Sequence, residues 1–307
     1  DNVDWKTGYS VAHKSDDIDF LGYFAVQRRG MSYDGNGRRL GVDTVQGDSM
    51  DTRGDDIFLK LGKNWGAQRL QLSLNRFNMG GNGNYKGEPG IVAQGVPTTS
   101  VPGTPPGEPT RNKVRSASLD YRHAELAGGM FTAQLFSHDF EALYGASNVS
   151  TFQDVRLAPA GTTIYDQSHI VADKLGARVT YVRPDTIVEG LEATAGIDFL
   201  RDQTLQRLAM TGRTWVPLLK FNSVAPFAQL EYEVGPFTVR GGVRHESAEL
   251  EVDTYTTLAA YGSRVVQGGS AEFSKAVRNI GAVWRFAPQW SAFAASSEGF
   301  GLPDAGL

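Results

Sequence analysis

Residues 68–78 read QRLQLSLNRFN, in which Leu70, Leu72 and Leu74 alternate with Gln71, Ser73 and Asn75. Successive side chains of a strand point to opposite faces, so this period-two pattern makes one oily and one wet face. The alternation returns along the chain. In LEATAGIDFL (191–200), Leu191, Ala193, Ala195, Ile197 and Phe199 oppose Glu192, Thr194, Gly196 and Asp198. In FAQLEYEV (227–234), Ala228, Leu230, Tyr232 and Val234 oppose Gln229, Glu231 and Glu233. In FTVRGGVRHE (237–246), Phe237, Val239 and Val243 oppose Thr238, Arg240 and Arg244. No stretch carries a sustained helical stripe, and the chain reads as all-β.

The connections alternate in length. Tight turns fall near 14–17, 64–67, 126–129, 183–190, 235–236 and 288–289, and long connections near 29–55, 78–113, 145–173, 202–223 and 249–273. Structureless loops beyond about 12–15 residues are uncommon in compact soluble domains. A transmembrane barrel has tight turns at one rim and long loops at the other. The expected architecture is an antiparallel transmembrane β-barrel, with about twelve strands here of roughly 9–13 residues, enough to cross a bilayer at a ~45° tilt. Arg240, Arg244, Glu231, Glu233, Glu192, Asp198, Asp120 and Arg122 are expected on one face, lining a water-filled or plugged lumen. A soluble β-sandwich would show the same residues to bulk water and stays open as an alternative. Trp5, Trp65, Tyr121, Phe199, Phe237, Trp284, Phe286 and Trp290 are expected near strand ends on the oily face, several beside a tight turn, as an interfacial girdle.

Bulk composition is compatible with this. Hydrophobic residues make up 40% and charged residues 21% of the 307, and mean hydropathy is −0.30. No apolar run approaches the ~18 residues of a membrane helix, a test that barrels escape by alternating. A net charge of −4 without a basic block argues against nucleic acid as a partner. Cysteine is absent, which excludes disulfides and thiolate metal sites. The opening DNVDWKTGYS has no basic or apolar segment of a signal peptide.

The search for catalysis finds little. The five histidines are scattered, with no His-Glu-x-x-His, no Gly-x-Ser-x-Gly elbow and no P-loop. YDGNGRR (33–39) lacks the ligand spacing and closing Glu of a calcium loop and reads as a turn. GGNGNYKGEPG (80–90) has no helix after it to cradle a phosphate. GVPTTSVPGTPPGEPT (95–110) reads as a surface loop, because the same strand rhythm resumes at Val114. The expectation is a protein that is not an enzyme and has no cofactor. Binding chemistry remains. Arg28, Arg29, Tyr33, Arg76, Tyr85, Tyr144, Phe152, Arg156, Arg201 and Trp215 fall in long loops or at strand tops, with Arg28, Arg76, Arg201 and Tyr144 expected to face inward. Arginine supplies a planar fork of donors for oxygen-rich anions, and aromatics supply flat contact area.

The tail NIGAVWRFAPQWSAFAASSEGFGLPDAG (279–306) resembles a strand–turn–strand of TonB-dependent outer-membrane receptors, whose Ser-x-Gly-Phe-x-x-Pro type motif is matched by Ser297, Gly299, Phe300, Leu302 and Pro303. APFAQLEYEVGPFTVRGGVRHE (225–246) resembles a hairpin of that family, and SYDGNG (32–37), TFQDVRLAPAGTTIYDQS (151–168) and LPDAG (302–306) are similar to its hydroxamate-siderophore branch, ferric aerobactin receptors in particular. The resemblance implies a barrel of about 22 strands closed around an N-terminal plug. It implies an outer-membrane location in a Gram-negative bacterium, contact with membrane lipid, and a monomer when complete. It implies uptake of a ferric siderophore, iron entering only as cargo, driven by the TonB complex through a box in a segment outside this chain. Residues 1–307 are then expected to be a partial barrel domain without plug or closing strands. Such an open sheet cannot pair its edges in hydrocarbon, so alone it is expected to aggregate or need detergent. A passive porin-like channel of about twelve strands closing on itself is the competing reading.

Overall fold

The computed structural model describes residues 3–42, 50–146, 150–158 and 161–301. The strands are β1 (Trp5–Lys14), β2 (Ile18–Arg29), β3 (Thr52–Trp65), β4 (Gln68–Gly81), β5 (Tyr85–Glu88), β6 (Thr99–Pro102), β7 (Arg111–Leu126), β8 (Gly129–Leu143), β9 (Ser168–Arg183), β10 (Leu191–Leu208), β11 (Thr214–Val234), β12 (Phe237–Val252), β13 (Tyr255–Thr256), β14 (Val265–Val266), β15 (Gly269–Ala287) and β16 (Trp290–Ser297). Twelve of them form one sheet in the order β1-β2-β3-β4-β7-β8-β9-β10-β11-β12-β15-β16, every neighbour antiparallel, with β1 and β16 as its edges. The pairs β5–β6 and β13–β14 are small hairpins inside two of the long connections.

The twelve-strand meander follows the alternating turns and loops read from the sequence. At the turn between β7 and β8, Ala127 and Gly128 have φ of 49° and 78°. A two-residue hairpin with both central residues left-handed is a type I′ turn, whose twist matches that of the strands it joins. Three expectations need correction. The connection expected at 202–223 is only 209–213, because β10 and β11 keep pairing far above the oily segment, through a bulge at Gln206. Strand lengths accordingly run from 8 to 21 residues, not 9–13. Phe199 pairs with Val224 in mid-strand, and Trp5 pairs with Arg28 at the long-loop rim, so neither belongs beside a tight turn.

Ladder partners project to the same face, so the register sorts every side chain. Arg178 pairs with Asp198 and Gln134, Gln134 with Asp120, Glu231 with both Arg240 and Glu192, and Arg244 with Phe227. The eight charged residues expected together do share one face. There they form cross-strand clusters. Asp198 accepts from Arg178 and Arg244 at 2.6 Å each, Arg240 bonds Glu231 at 2.6 Å, and Asp19 bonds Arg69 at 2.6 Å. The Phe136 ring lies over Gly176, where a Cβ would collide with it.

The opposite face carries Leu59 and Leu61, Leu70, Leu72 and Leu74, Leu119, Leu135, Leu175, Leu230, Val239, Val243 and Ile280, all exposed. An apolar face of this extent, open on a monomer, needs a covering medium. Aromatics edge it at the tight turns: Trp65 ends β3, and Phe237 stacks on Trp284 with centroids 5.9 Å apart. The register also slips steadily. Gln68 is the first residue of β4, yet its row reaches Val243, six residues past the start of β12 and six strands away. One residue of stagger per strand is the shear of tilted barrel strands. No helix among the described residues is long and apolar enough to cross a membrane, which says nothing about crossing by strands.

Candidate functional site

The sheet itself contains little packed interior. The buried apolar cluster lies in the connections above it: Phe152, Leu208 and Leu258 are 3%, 0% and 3% exposed, and Trp215 packs against them edge-on to Phe152 at 4.8 Å. These side chains come from the connection 144–167, the top of β10, the start of β11 and the connection 253–268. Burying Phe152 holds three separate segments together as a lid on the long-loop rim.

A polar clip surrounds that cluster. The Asp154 carboxylate, nearly inaccessible, accepts from Arg156 Nε at 2.8 Å, Nη2 at 2.6 Å and the backbone N–H at 3.0 Å, and Arg213 lies 3.7 Å away. The bidentate hydrogen bonds from the Arg156 guanidinium outweigh burial and hold the Asp154 carboxyl down at about 2. Arg156 also donates to Ser263 at 2.8 Å, tying 144–167 to 253–268. Asp166, wholly buried, accepts from Met210 N–H at 2.8 Å and the Thr211 hydroxyl at 2.6 Å, which fixes the turn 209–213.

The remaining connections join the same canopy. Gln167 donates to the carbonyls of Tyr144 and Glu108 and accepts from Glu108 N–H, linking 144–167 to 82–110. Asp51 accepts from Asn82 Nδ2 at 3.0 Å, Asn84 N–H at 2.9 Å and Asn84 Nδ2 at 3.0 Å, linking 30–51 to 82–110. The Ser100 hydroxyl donates to Leu40 O and accepts from Val42 N–H. Each long connection is thus fastened to the next.

Within the canopy the Arg39 guanidinium lies 5.1 Å from the centroid of the Tyr85 ring and donates from Nε to the Tyr33 hydroxyl at 3.3 Å. Tyr33 and Arg39 form an isolated bridge, closed by the Asp34–Arg38 turn, in which backbone N–H groups of Arg38 and Asn36 and the Arg38 guanidinium hold the Asp34 carboxyl below its usual value. Arg39 makes no ion pair among the described residues. A half-buried cation flanked by two tyrosines can grip an oxygen-rich anion through its open fork.

The sequence-predicted residues divide accordingly. Tyr33 and Tyr85 meet at Arg39. Phe152 and Trp215 meet in the buried cluster, and Arg156 closes the clip beside it. Tyr144 gives its N–H to Ser168 O and its carbonyl to Gln167. Arg29 ends β2 on the charged face, opposite Thr52. The inward orientation of Arg28, Arg76 and Arg201 is corrected by the register: they share parity with Phe24, Leu74 and Phe199 and project from the apolar face. Each lies a full residue out of phase with the charged face, as Leu-x-Leu-x-Leu-x-Arg in 70–76 already spells out. Ser297 ends β16 opposite Asn279, Gly299 follows, and Phe300 meets Phe273 at 6.4 Å, whereas Pro303 lies outside the described residues. Sequence reasoning missed Arg39, Asp154, Asp166, Gln167 and Arg213. The Asp-x-Arg spacing of Asp154 and Arg156 is a local signal for the clip; the other contacts span too many residues to be read. Among the described residues no three His, Asp or Glu side chains are placed to hold a metal ion.

An antiparallel sheet with one charged face, one exposed apolar face, sheared register and an interlocked loop rim defines the wall of a membrane β-barrel. Residues 44–306 match the family described as TonB dependent receptor-like, beta-barrel, and the chain belongs to that family. It is 24% identical to the ferric aerobactin receptor of Klebsiella pneumoniae, over 92% of this chain and 42% of the relative. Its fold is similar to that of the copper transporter OprC, with a TM-score of 0.71 and 12% identity over 99% of this chain and 46% of that one. It is also similar to the FrpB iron transporter from Neisseria meningitidis, with a TM-score of 0.66 and 14% identity over 96% and 44%. The chain spans less than half the length of these relatives, so the sheet is part of a larger barrel.

Proposed function

We propose that this chain forms one side of an outer-membrane receptor-transporter that binds a ferric siderophore at the canopy and passes it inward, catalysing nothing. The observation that carries the reading is the canopy: interlocked loops at the rim of a charged face present a tyrosine-flanked Arg39 that makes no ion pair among the described residues. The solved neighbours include a copper transporter and a ferric citrate transporter, so the fold does not choose the cargo. The likeness to a ferric aerobactin receptor, which runs along nearly the whole chain, supports a hydroxamate-type, aerobactin-like chelate.

In this mechanism Arg39 donates to the chelate's oxygens, held in place by the buried Tyr85 ring against its guanidinium and by the Tyr33 hydroxyl. The Asp154–Arg156–Ser263 clip keeps neighbouring loops from splaying, which lowers the entropy lost on binding. The paired charges of the sheet's inner face, Asp198 with Arg178 and Arg244 above all, keep the passage hydrated without offering an unpaired charge to trap the cargo. Energy comes from the TonB complex acting on parts of the receptor beyond this chain, and iron is cargo throughout.

The test uses a Gram-negative strain lacking its hydroxamate receptors, expressing the complete gene and supplied with radiolabelled ferric aerobactin. Saturable binding without energy, and uptake only with TonB intact, is expected. Unsaturable uptake independent of TonB would support a passive channel instead.

A further inference from the structure

Among the arginines that belong to neither the charged face nor the canopy, two lie side by side at the edge of a leucine stripe. Arg76 on β4 and Arg115 on β7 are direct ladder partners, so both project from the apolar face, immediately above the Leu74–Ala117 pair. Like charges held opposite each other on neighbouring strands repel. In the two rows above, Lys113 and Arg111 are both neutralised by Glu141 at 3.2 Å. Arg76 and Arg115 are exposed and make no ion pair among the described residues, although Asp139 follows Arg115 in the row. Beside them runs a cleft of about 280 Å³, with Ala117 and Ser137 as its small residues, Ile57, Leu59 and Leu74 as its apolar walls and Asp139 as its one carboxylate. Below it the exposed Leu61, Leu70 and Leu72 continue the stripe toward the tight turns.

We propose that this cleft is a docking site for a phosphate-bearing membrane lipid. Two guanidinium forks at ladder spacing can share one phosphate, and the anion removes the repulsion between them. An acyl chain leaving the phosphate runs down the leucine stripe, which a free anion would leave uncovered. The height fits, since Arg76 and Arg115 sit where the apolar stripe ends, the level at which headgroups are expected. Asp139 closes the far side of the row to further anions. The site rests on the barrel-wall reading, and its test reads bound lipid, so it fails separately from any failure of siderophore binding.

The experiment is native mass spectrometry of the detergent-purified receptor, made from its complete gene, with added phosphatidic acid or diacylglycerol. Wild type is expected to retain phosphatidic acid over diacylglycerol. The double variant Arg76→Gln/Arg115→Gln should retain about tenfold less, and Arg76→Lys/Arg115→Lys should recover part of it. Equal retention by wild type and the Gln variant overturns the proposal. So does full displacement from wild type by millimolar inorganic phosphate, which would make it a simple anion site, and so does equal retention of diacylglycerol. If the Gln variant does not fold, the phosphate and diacylglycerol competitions on wild type decide alone.

Discussion

In the proposed site Arg39 and Asp154 do opposite work, the first offered to a ligand and the second closed on its partners. Removing a charge-assisted hydrogen bond costs about 1.5–3 kcal/mol, so Arg39→Ala is expected to weaken ferric-aerobactin binding about 10- to 150-fold, read by equilibrium binding to whole cells. Arg39→Lys keeps the charge but loses the fork and should fall between. Asp154 carries the pH dependence of the clip. Its carboxyl titrates at about 2 in the folded canopy, against about 3.9 in an unfolded chain. A depressed carboxyl stabilises the fold above the unfolded value and loses that contribution as pH falls through the folded one. The Trp215 signal, obtained by difference from Trp215→Phe, should therefore stay flat down to about pH 4 and change between about 4 and 2. In Asp154→Asn that transition should vanish. A change already complete at pH 5 would rule out Asp154 as the clip.

At the scale of elements, parity governs what each strand tolerates. Leu72 and Ser73 are adjacent in β4 but lie on opposite faces. Leu72→Arg on the lipid side should cost about 2–4 kcal/mol if near the bilayer midplane, whereas Ser73→Arg on the inner side should be nearly neutral, measured by urea unfolding of the receptor in detergent-free bilayers. Gly176→Val should drive the Phe136 ring from its seat at about 1–3 kcal/mol. The faces were legible in the sequence because period-two alternation is local: QRLQLSLNRFN and LEATAGIDFL each display their own. The same rule, applied to Arg76 and Arg201, would have placed them outward. Reading them as inward followed their charge and ignored their phase. The canopy was not legible. Leu208, Phe152 and Leu258 look like ordinary strand and loop residues until three distant connections bring them together, and the 209–213 turn was hidden because β10 and β11 continue past the length a bilayer needs.

For the whole molecule, the twelve-strand sheet reproduces the family's barrel wall, with β1 and β16 as its edges. Its exposed leucines and its inner charge pairs make sense only if lipid covers one face and water the other. The chain itself has no cysteine, so a single-cysteine scan along residues 68–78 needs background removal only for cysteines elsewhere in the receptor. The most direct measurement is spin-label accessibility at each position in the receptor in native outer membranes. Positions 70, 72 and 74 should be reached by oxygen and shielded from a water-soluble nickel reagent, and positions 71, 73 and 75 should show the reverse. A uniform profile, or nickel access at the leucines, would contradict a membrane barrel wall and the transporter built on it.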